Sequence, residues 1–235
     1  MRAVVTVGFG TRPDVGKPGE QDIIGTPFHE KLVRLKASFE KYSRDTRVIV
    51  YPQLPNGCPE HMDRPYAFKA YALCEARNFG YDQLIWADSS VYAVHDIELL
   101  WELIDARGYF LVRNGSGSCG EWTADSALEP LGITRREAFD IPQIAATCFG
   151  LNMNSPIAAS FLSEYFRLAS QTNAFSGPWV NDKLQASGNL RVRGHRHDQT
   201  AASVIAWRLG MKLSPGPIWE DWPSVSQDTV LQVRR

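Results

Sequence analysis

Residues 84–94 read LIWADSSVYAV. The apolar run stops on Asp88, Ser89 and Ser90 and resumes at Val91. Burying an unpaired charge is expensive, so Asp88 belongs at the open end of a strand. In α/β folds that end is where ligands bind. Asp88 therefore either caps the next turn or holds something. A second group of reactive side chains stands in RVRGHRHDQ (191–199), where His195, His197, Asp198 and Gln199 lie among Arg191, Arg193 and Arg196. A carboxylate beside an amide binds hydroxyls, moves a proton or ligates a cation. The plain alternatives are an N-cap at Asp198 and a solvated basic loop. A third place is EWTAD (121–125). The Trp122 face suits a sugar's C–H surface or a flat base, and Asp125 beside it suits a general base for a hydroxyl. A helix cap at Thr123 or Asp125 is the competing account. Lys69, in RPYAFKAYA (64–72), is either an exposed helix charge or a cation for an anionic ligand.

These residues need elements to position them. Short β-branched runs at 3–9, 47–52, 82–87, 109–113 and 143–152 predict buried strands. Helical spacing and Pro or Gly punctuation predict helices over 26–43, 65–80, 96–108, 125–131, 156–171 and 197–210. The Gly- and Pro-rich stretches 10–21 and 54–64 read as loops, as does NGSGSCGEW (114–122), either a mobile loop near the site or a plain connector. Strands alternate with helices from the start, which predicts an α/β fold: one domain over 1–235, with a mostly parallel central sheet and helices on both faces.

Composition bounds the function. The 235 residues are 44% hydrophobic and 22% charged with net charge −1, so no global charge favours nucleic acid or an anionic membrane. No apolar run is long enough to span a bilayer. The first twenty residues lack a signal peptide's apolar core and cleavage site. The four cysteines (58, 74, 119 and 148) form no CxxC pair. They read as reduced thiols of a cytoplasmic protein rather than a zinc site or disulfide frame.

The order of these features resembles the GT-A glycosyltransferases, which move a sugar from a nucleotide donor. The family's strand-ending Asp-x-Asp looks like Asp88-Ser89-Ser90. Its later Gly-x-x-x-Asn strand looks like Gly150 to Asn152 in shortened form, and its helix-opening Asp-Gln like Asp198-Gln199. The similarity runs from about residue 3 to 212 and rests on order rather than on any single motif. It implies a nucleotide-sugar donor and a hydroxyl acceptor on a glycan, a protein or a modified nucleobase. It places Asp88, Asp125, Asp198 and Gln199 in the chemistry and Trp122 at the acceptor. Thr6, Gly8, Phe9, Gly10, Arg12, Lys69 and Ser90 fall at the donor.

Ser90 departs from the family, whose last carboxylate in this motif ligates manganese or magnesium. Hard divalent cations want charged oxygens. Two alternatives stay open: a manganese or magnesium ion held by Asp88 with His195, His197 or Asp198, or a donor held with no metal. Two rival functions share the core. VGFGTRPDVGKPG (7–19) partly resembles the Gly-x-Gly-Thr-Arg signature of sugar nucleotidylyltransferases, and a non-catalytic glycan- or partner-binding domain would keep Ser90 as a relic.

Overall fold

Near-continuous apolar runs build the central strands, and both faces of the sheet are buried. The computed structural model describes residues 1–8, 28–43, 45–214, 218–221, 224, 226 and 229–234. In chain order the elements are β1 (Arg2–Val7), α1 (Phe28–Lys41), β2 (Thr46–Tyr51), α2 (Phe68–Asn78), β3 (Gln83–Ala87), β4 (Val91–Ala93), α3 (Glu98–Arg107) and β5 (Tyr109–Ser118). They continue with α4 (Asp125–Leu131), α5 (Arg135–Asp140), β6 (Pro142–Asn152), α6 (Pro156–Gln171), α7 (His197–Arg208), β7 (Trp219–Asp221) and β8 (Leu231–Val233).

The five-stranded sheet has the order β2-β1-β3-β6-β5. β1 runs parallel to β2 and β3, while β6 runs antiparallel to β3 and β5. Thus β1, β2, β3 and β5 point one way and β6 is reversed. Reversal brings the first half of β6 beside the carboxyl end of β3, where the Asp88 backbone N–H donates to the Thr147 carbonyl (2.9 Å).

Ala3, Val5, Leu84, Trp86 and Phe149 face one apolar cluster, shared with Leu73 of α2, Phe161 and Tyr165 of α6 and Val204 of α7. Val4, Ile85 and Ala87 face the other, with Leu35 and Phe39 of α1 and Leu100 and Trp101 of α3. Helices therefore cover both faces, and in β1, β3 and β6 residues of both parities are buried. Gly108 ends α3 in the left-handed region (φ 82°), a conformation that glycine adopts without a Cβ penalty. Gly150 serves packing instead: a Cβ there would lie 2.4 Å from Phe110 and 2.5 Å from Ile104.

Three features differ from the sequence reading. NGSGS continues β5 rather than forming a loop, because β6 offers it a ladder: Arg113 pairs with Ile144 and Ser118 with Pro142, with register shifts between. Cys119–Glu121 then form a 3-10 turn. α5 is an added helix, opened by a capping box in which Thr134 accepts from the Glu137 backbone N–H and the Glu137 carboxylate accepts from Thr134. The strands β4, β8 and β7 make a separate three-stranded sheet, too short to be distinguished from loop in sequence. Among the described residues no helix is long and apolar enough to cross a membrane.

Candidate active site

The period that turns Leu84 and Trp86 toward α2, α6 and α7 turns Asp88 the same way. Trp86 Nε1 donates to Asp88 Oδ1 at 2.7 Å. Lys69, in the first turn of α2, comes from the helix packed on that face. Its Nζ lies 2.9 Å from Asp88 Oδ1 and 2.8 Å from Asp198 Oδ2, and donates to the Ala146 carbonyl at 2.9 Å. The side chains of Lys69 and Asp198 are 3% and 6% exposed, whereas Asp88 is 29% exposed. The pair is thus sealed on the protein side and open at Asp88.

Burial alone would strip Lys69 of its proton. Asp198 and Asp88 outweigh that penalty and leave its pKa raised, so it stays charged. For Asp198 burial wins. It pushes the carboxyl up, the Lys69 ammonium offsets part of the shift, and the result is about 6. The Tyr66 and Trp86 rings add π-faces to Lys69, with centroids 5.0 and 5.4 Å from Nζ.

The start of α7 is fixed from several sides. The Arg196 backbone N–H and the Thr200 hydroxyl both donate to the Trp122 carbonyl (3.0 and 2.8 Å). Gln199 Nε2 donates to Gln143 Oε1 of β6 (2.6 Å). His195 accepts from the Ala124 N–H at Nδ1 (3.3 Å) and donates from Nε2 to the Ala174 carbonyl (2.9 Å). Burial drops its pKa to about 4, so it is neutral. His197 has φ +39°, unusual for a side chain of its size. It donates from Nδ1 to the Phe175 carbonyl (3.0 Å), and burial first, then His195, lowers its pKa to about 3. Its Nε2 and the Gln143 Nε2 are buried and find no partner among the described residues. An acceptor and a donor thus remain unmatched near the helix start, where buried polar atoms otherwise pair.

The sequence-derived candidates separate into groups. Asp88, Lys69 and Asp198 meet directly, with Gln199 beside Asp198 and Ser90 half-buried in the turn after Asp88. Trp122 lies at the same end of α7, but the Arg196 guanidinium sits 4.1 Å from its ring centroid and that of Arg193 5.8 Å away. Asp125 opens α4 without capping it. It accepts from Arg135 (2.5 Å) and from the Ser187 hydroxyl (2.9 Å). Burial raises its pKa, but those hydrogen bonds outweigh it and leave the pKa lowered, which makes a weak base. Thr6 is buried at the end of β1, its hydroxyl without a partner among the described residues. Gly8 donates to the Tyr51 carbonyl (3.0 Å) and lies against Leu32. Phe9, Gly10 and Arg12 lie outside the described residues.

The donor set does not fit a manganese or magnesium site. Asp88 Oδ1 and Asp198 Oδ2 are both taken by Lys69, and both ring nitrogens of His195 are engaged. His197 keeps one nitrogen, and among the described residues no three His, Cys, Asp or Glu side chains are grouped to hold a metal ion.

No protein-family model and no curated protein sequence matches the chain. Solved structures do. The apo form of mouse xyloside xylosyltransferase 1 matches at TM-score 0.53 and 11% identity, over 99% of this chain and 97% of that one. A glycosyltransferase involved in the glycosylation of the major capsid of PBCV-1 matches at TM-score 0.54 and 14% identity, over 99% and 93%. The chain has a GT-A fold. In this GT-A domain the Asp88 cluster stands at the carboxyl end of β3, where the reversed β6 and the start of α7 converge.

Sequence reasoning missed Trp86, Tyr66 and Gln143 as neighbours of the cluster. Trp86 was accessible, because it stands two residues before Asp88 on the same strand face. Tyr66 carried no periodic signal: its φ of +63° belongs to an irregular turn before α2. Gln143 read as one polar residue in an apolar strand.

Proposed function

We propose that this chain transfers a sugar from a nucleotide-sugar donor to a hydroxyl acceptor. The observation that carries the reading is the buried Asp88–Lys69–Asp198 cluster, open at Asp88, in a fold shared with glycosyltransferases. Two carboxylates around one ammonium are held in place before any ligand arrives, which suits them to accept hydrogen bonds from sugar hydroxyls.

In the transfer, the bond from the sugar's anomeric carbon to the phosphate oxygen breaks, and its electrons leave with the nucleoside diphosphate. The acceptor oxygen bonds to that carbon, and its proton passes through water to the solvent, which balances the negative charge released on the diphosphate. Asp88 faces the donor with its exposed oxygen, and Asp198 and Gln199 orient the donor sugar from the start of α7. Thr6, Gly8, Phe9, Gly10 and Arg12 are assigned to the base and phosphates. Trp122 is assigned to the acceptor side, as a platform stiffened by Arg196. Asp125, held by Arg135, positions the loop that carries Ser187. Lys69 positions both carboxylates, as a close ion pair with each and with a hydrogen bond to the Ala146 carbonyl, so its charge is committed to the cluster rather than to a phosphate.

The test is a panel of nucleotide sugars. A bound donor at a hundred times its Kd adds about 2.7 kcal/mol of stability, which a thermal scan detects. The stabilising donors are then incubated with the chain, and released nucleoside diphosphate is measured. Release that requires Asp88 and Asp198 supports transfer. Formation of pyrophosphate points to nucleotidylyl chemistry instead, and stabilisation without turnover to a binding domain.

A further inference from the structure

We propose that the nucleotide-sugar donor binds to this domain without a divalent cation, because the Lys69 ammonium holds the place between Asp88 and Asp198 that a metal ion would need. The inference rests on the nucleotide-sugar reading above and deepens it.

The geometry comes first. Lys69 Nζ lies within 2.9 Å of three oxygens, in ion pairs with Asp88 and Asp198 and in a hydrogen bond to the Ala146 carbonyl. It is packed in the first turn of α2 with 2% of its surface exposed, so moving aside would leave two carboxylates and a carbonyl unpaired. A metal ion bound to the same oxygens would sit at contact range from this fixed positive charge. The Trp86 and Tyr66 rings flank the ammonium, so on that side the repulsion between the two cations would be poorly screened.

The ligand count agrees. Divalent manganese or magnesium wants several charged oxygens. Serine stands at position 90, and His195 has no nitrogen left. Asp88 Oδ1 is shared between Lys69 and the Trp86 indole. One carboxylate oxygen with a hydroxyl is a poor set for such an ion, and a good one for a sugar or ribose hydroxyl.

The charge balance gives a further consequence. Asp88 and Asp198 contribute −2 and Lys69 contributes +1, so the cluster keeps a net −1. It does not attract a diphosphate by itself. The diphosphate therefore meets cations elsewhere on the chain, and donor affinity falls with ionic strength rather than with chelator.

The test uses the purified full chain stripped with chelator. Calorimetric titration with uridine, guanosine, cytidine, adenosine and thymidine diphosphates is run in excess chelator and again in excess manganese. The expected result is one nucleotide whose Kd differs by less than about threefold between the two buffers. Binding weakened about tenfold or more by chelator overturns the inference and leaves the nucleotide reading standing. Binding of no nucleotide in either buffer overturns both. Free manganese is followed separately by its paramagnetic resonance signal. Wild type should leave that signal unchanged. Lys69→Met, which opens the gap between the carboxylates, should take manganese out of solution, whereas Ser90→Asp, which adds a carboxylate but leaves Lys69 in the gap, should not. Manganese uptake by Ser90→Asp would show that Lys69 does not exclude the metal and overturns the inference, a test that stands even where Lys69→Met does not fold. A folded Lys69→Met that binds no more manganese than wild type overturns it as well.

Discussion

Lys69 Nζ and Asp198 Oδ2 lie 2.8 Å apart, both nearly sealed from solvent. The contact joins the first turn of α2 to the first turn of α7, two helices on the same face of the sheet. It also decides what Asp198 does for its helix. The N-cap of α7 is Arg196, with no side-chain cap bond, so Asp198 stands inside the first turn and its carboxylate is turned to Lys69.

Asp198→Asn should therefore cost turnover far more than it costs a cap. The amide keeps the shape but weakens the bond to Lys69, which retains Asp88. A stability loss of about 1–3 kcal/mol is expected, with nucleoside diphosphate release down about a hundredfold or more. Gln199→Ala, which leaves the buried Gln143 Oε1 without its partner, should lower release at a stability cost of about 1–3 kcal/mol. Wild-type turnover in both variants would show that the start of α7 is structural only.

Asp88→Asn probes the open side of the cluster. Asp88 is more exposed than its partners and keeps the Trp86 hydrogen bond as an amide, so the fold should survive with a loss of about 1–2 kcal/mol. Turnover should fall about a hundredfold. Unfolding curves and release assays on the same preparation separate the outcomes. A large stability loss with normal turnover per folded molecule would assign Asp88 to capping the turn to β4.

The Asp198 carboxyl predicts a pH dependence of definite sign. Burial raises it to about 6 in the fold, above the roughly 3.9 of an unfolded chain. The folded state then holds the proton more tightly, so this group's contribution to stability is full below about pH 4 and is lost as pH rises through about 6. Turnover should move the other way, rising over the same window as the carboxylate forms. The apparent value belongs to the whole Asp88–Lys69–Asp198 cluster. Denaturant unfolding at stepped pH should show the decline in wild type and a flatter profile in Asp198→Asn. An identical profile in both would rule out Asp198 as the source.

The sheet and its main helices were legible because their signals are local. β3 was visible as an apolar run, α6 from its Pro start and apolar face, and the end of α3 from Gly108. Asp88 drew attention because a carboxylate at the end of a buried run has few cheap explanations, and Asp198 because Asp198-Gln199 opens a helix as the family's Asp-Gln does. Their meeting through Lys69 was not legible. Lys69 carries the same letter as any surface lysine, and only the packing of α2 against β3 and α7 buries it. The continuation of β5 through NGSGS was hidden for a similar reason: glycine and serine give no strand signal, and the ladder that holds them comes from β6. The contact of Asp125 with Arg135 was hidden as well, because a sequence reading had no reason to pair residues ten apart on different helices.

That pairing sets up the last prediction. Asp125 is the carboxylate nearest in sequence to Trp122, which made it a natural base for the acceptor. Its oxygen instead accepts from the Arg135 guanidinium and the Ser187 hydroxyl, and its backbone N–H donates to the Ala186 carbonyl. Together these tie the start of α4 to the loop before α7. A carboxylate with lowered proton affinity takes a proton poorly, so the chemistry should not depend on it. Asn can accept the same two hydrogen bonds, and the half-exposed ion pair it removes is worth about 0–1 kcal/mol. Asp125→Asn should thus leave turnover within about threefold of wild type, with an unchanged fold. Arg135→Met, which unpins Gly120, Thr123 and Asp125 together, should raise KM for the acceptor more than it lowers kcat, because it loosens the Trp122 segment without touching the Lys69 cluster. A hundredfold fall in kcat for Asp125→Asn at wild-type stability would instead make Asp125 the base and Arg135 its regulator.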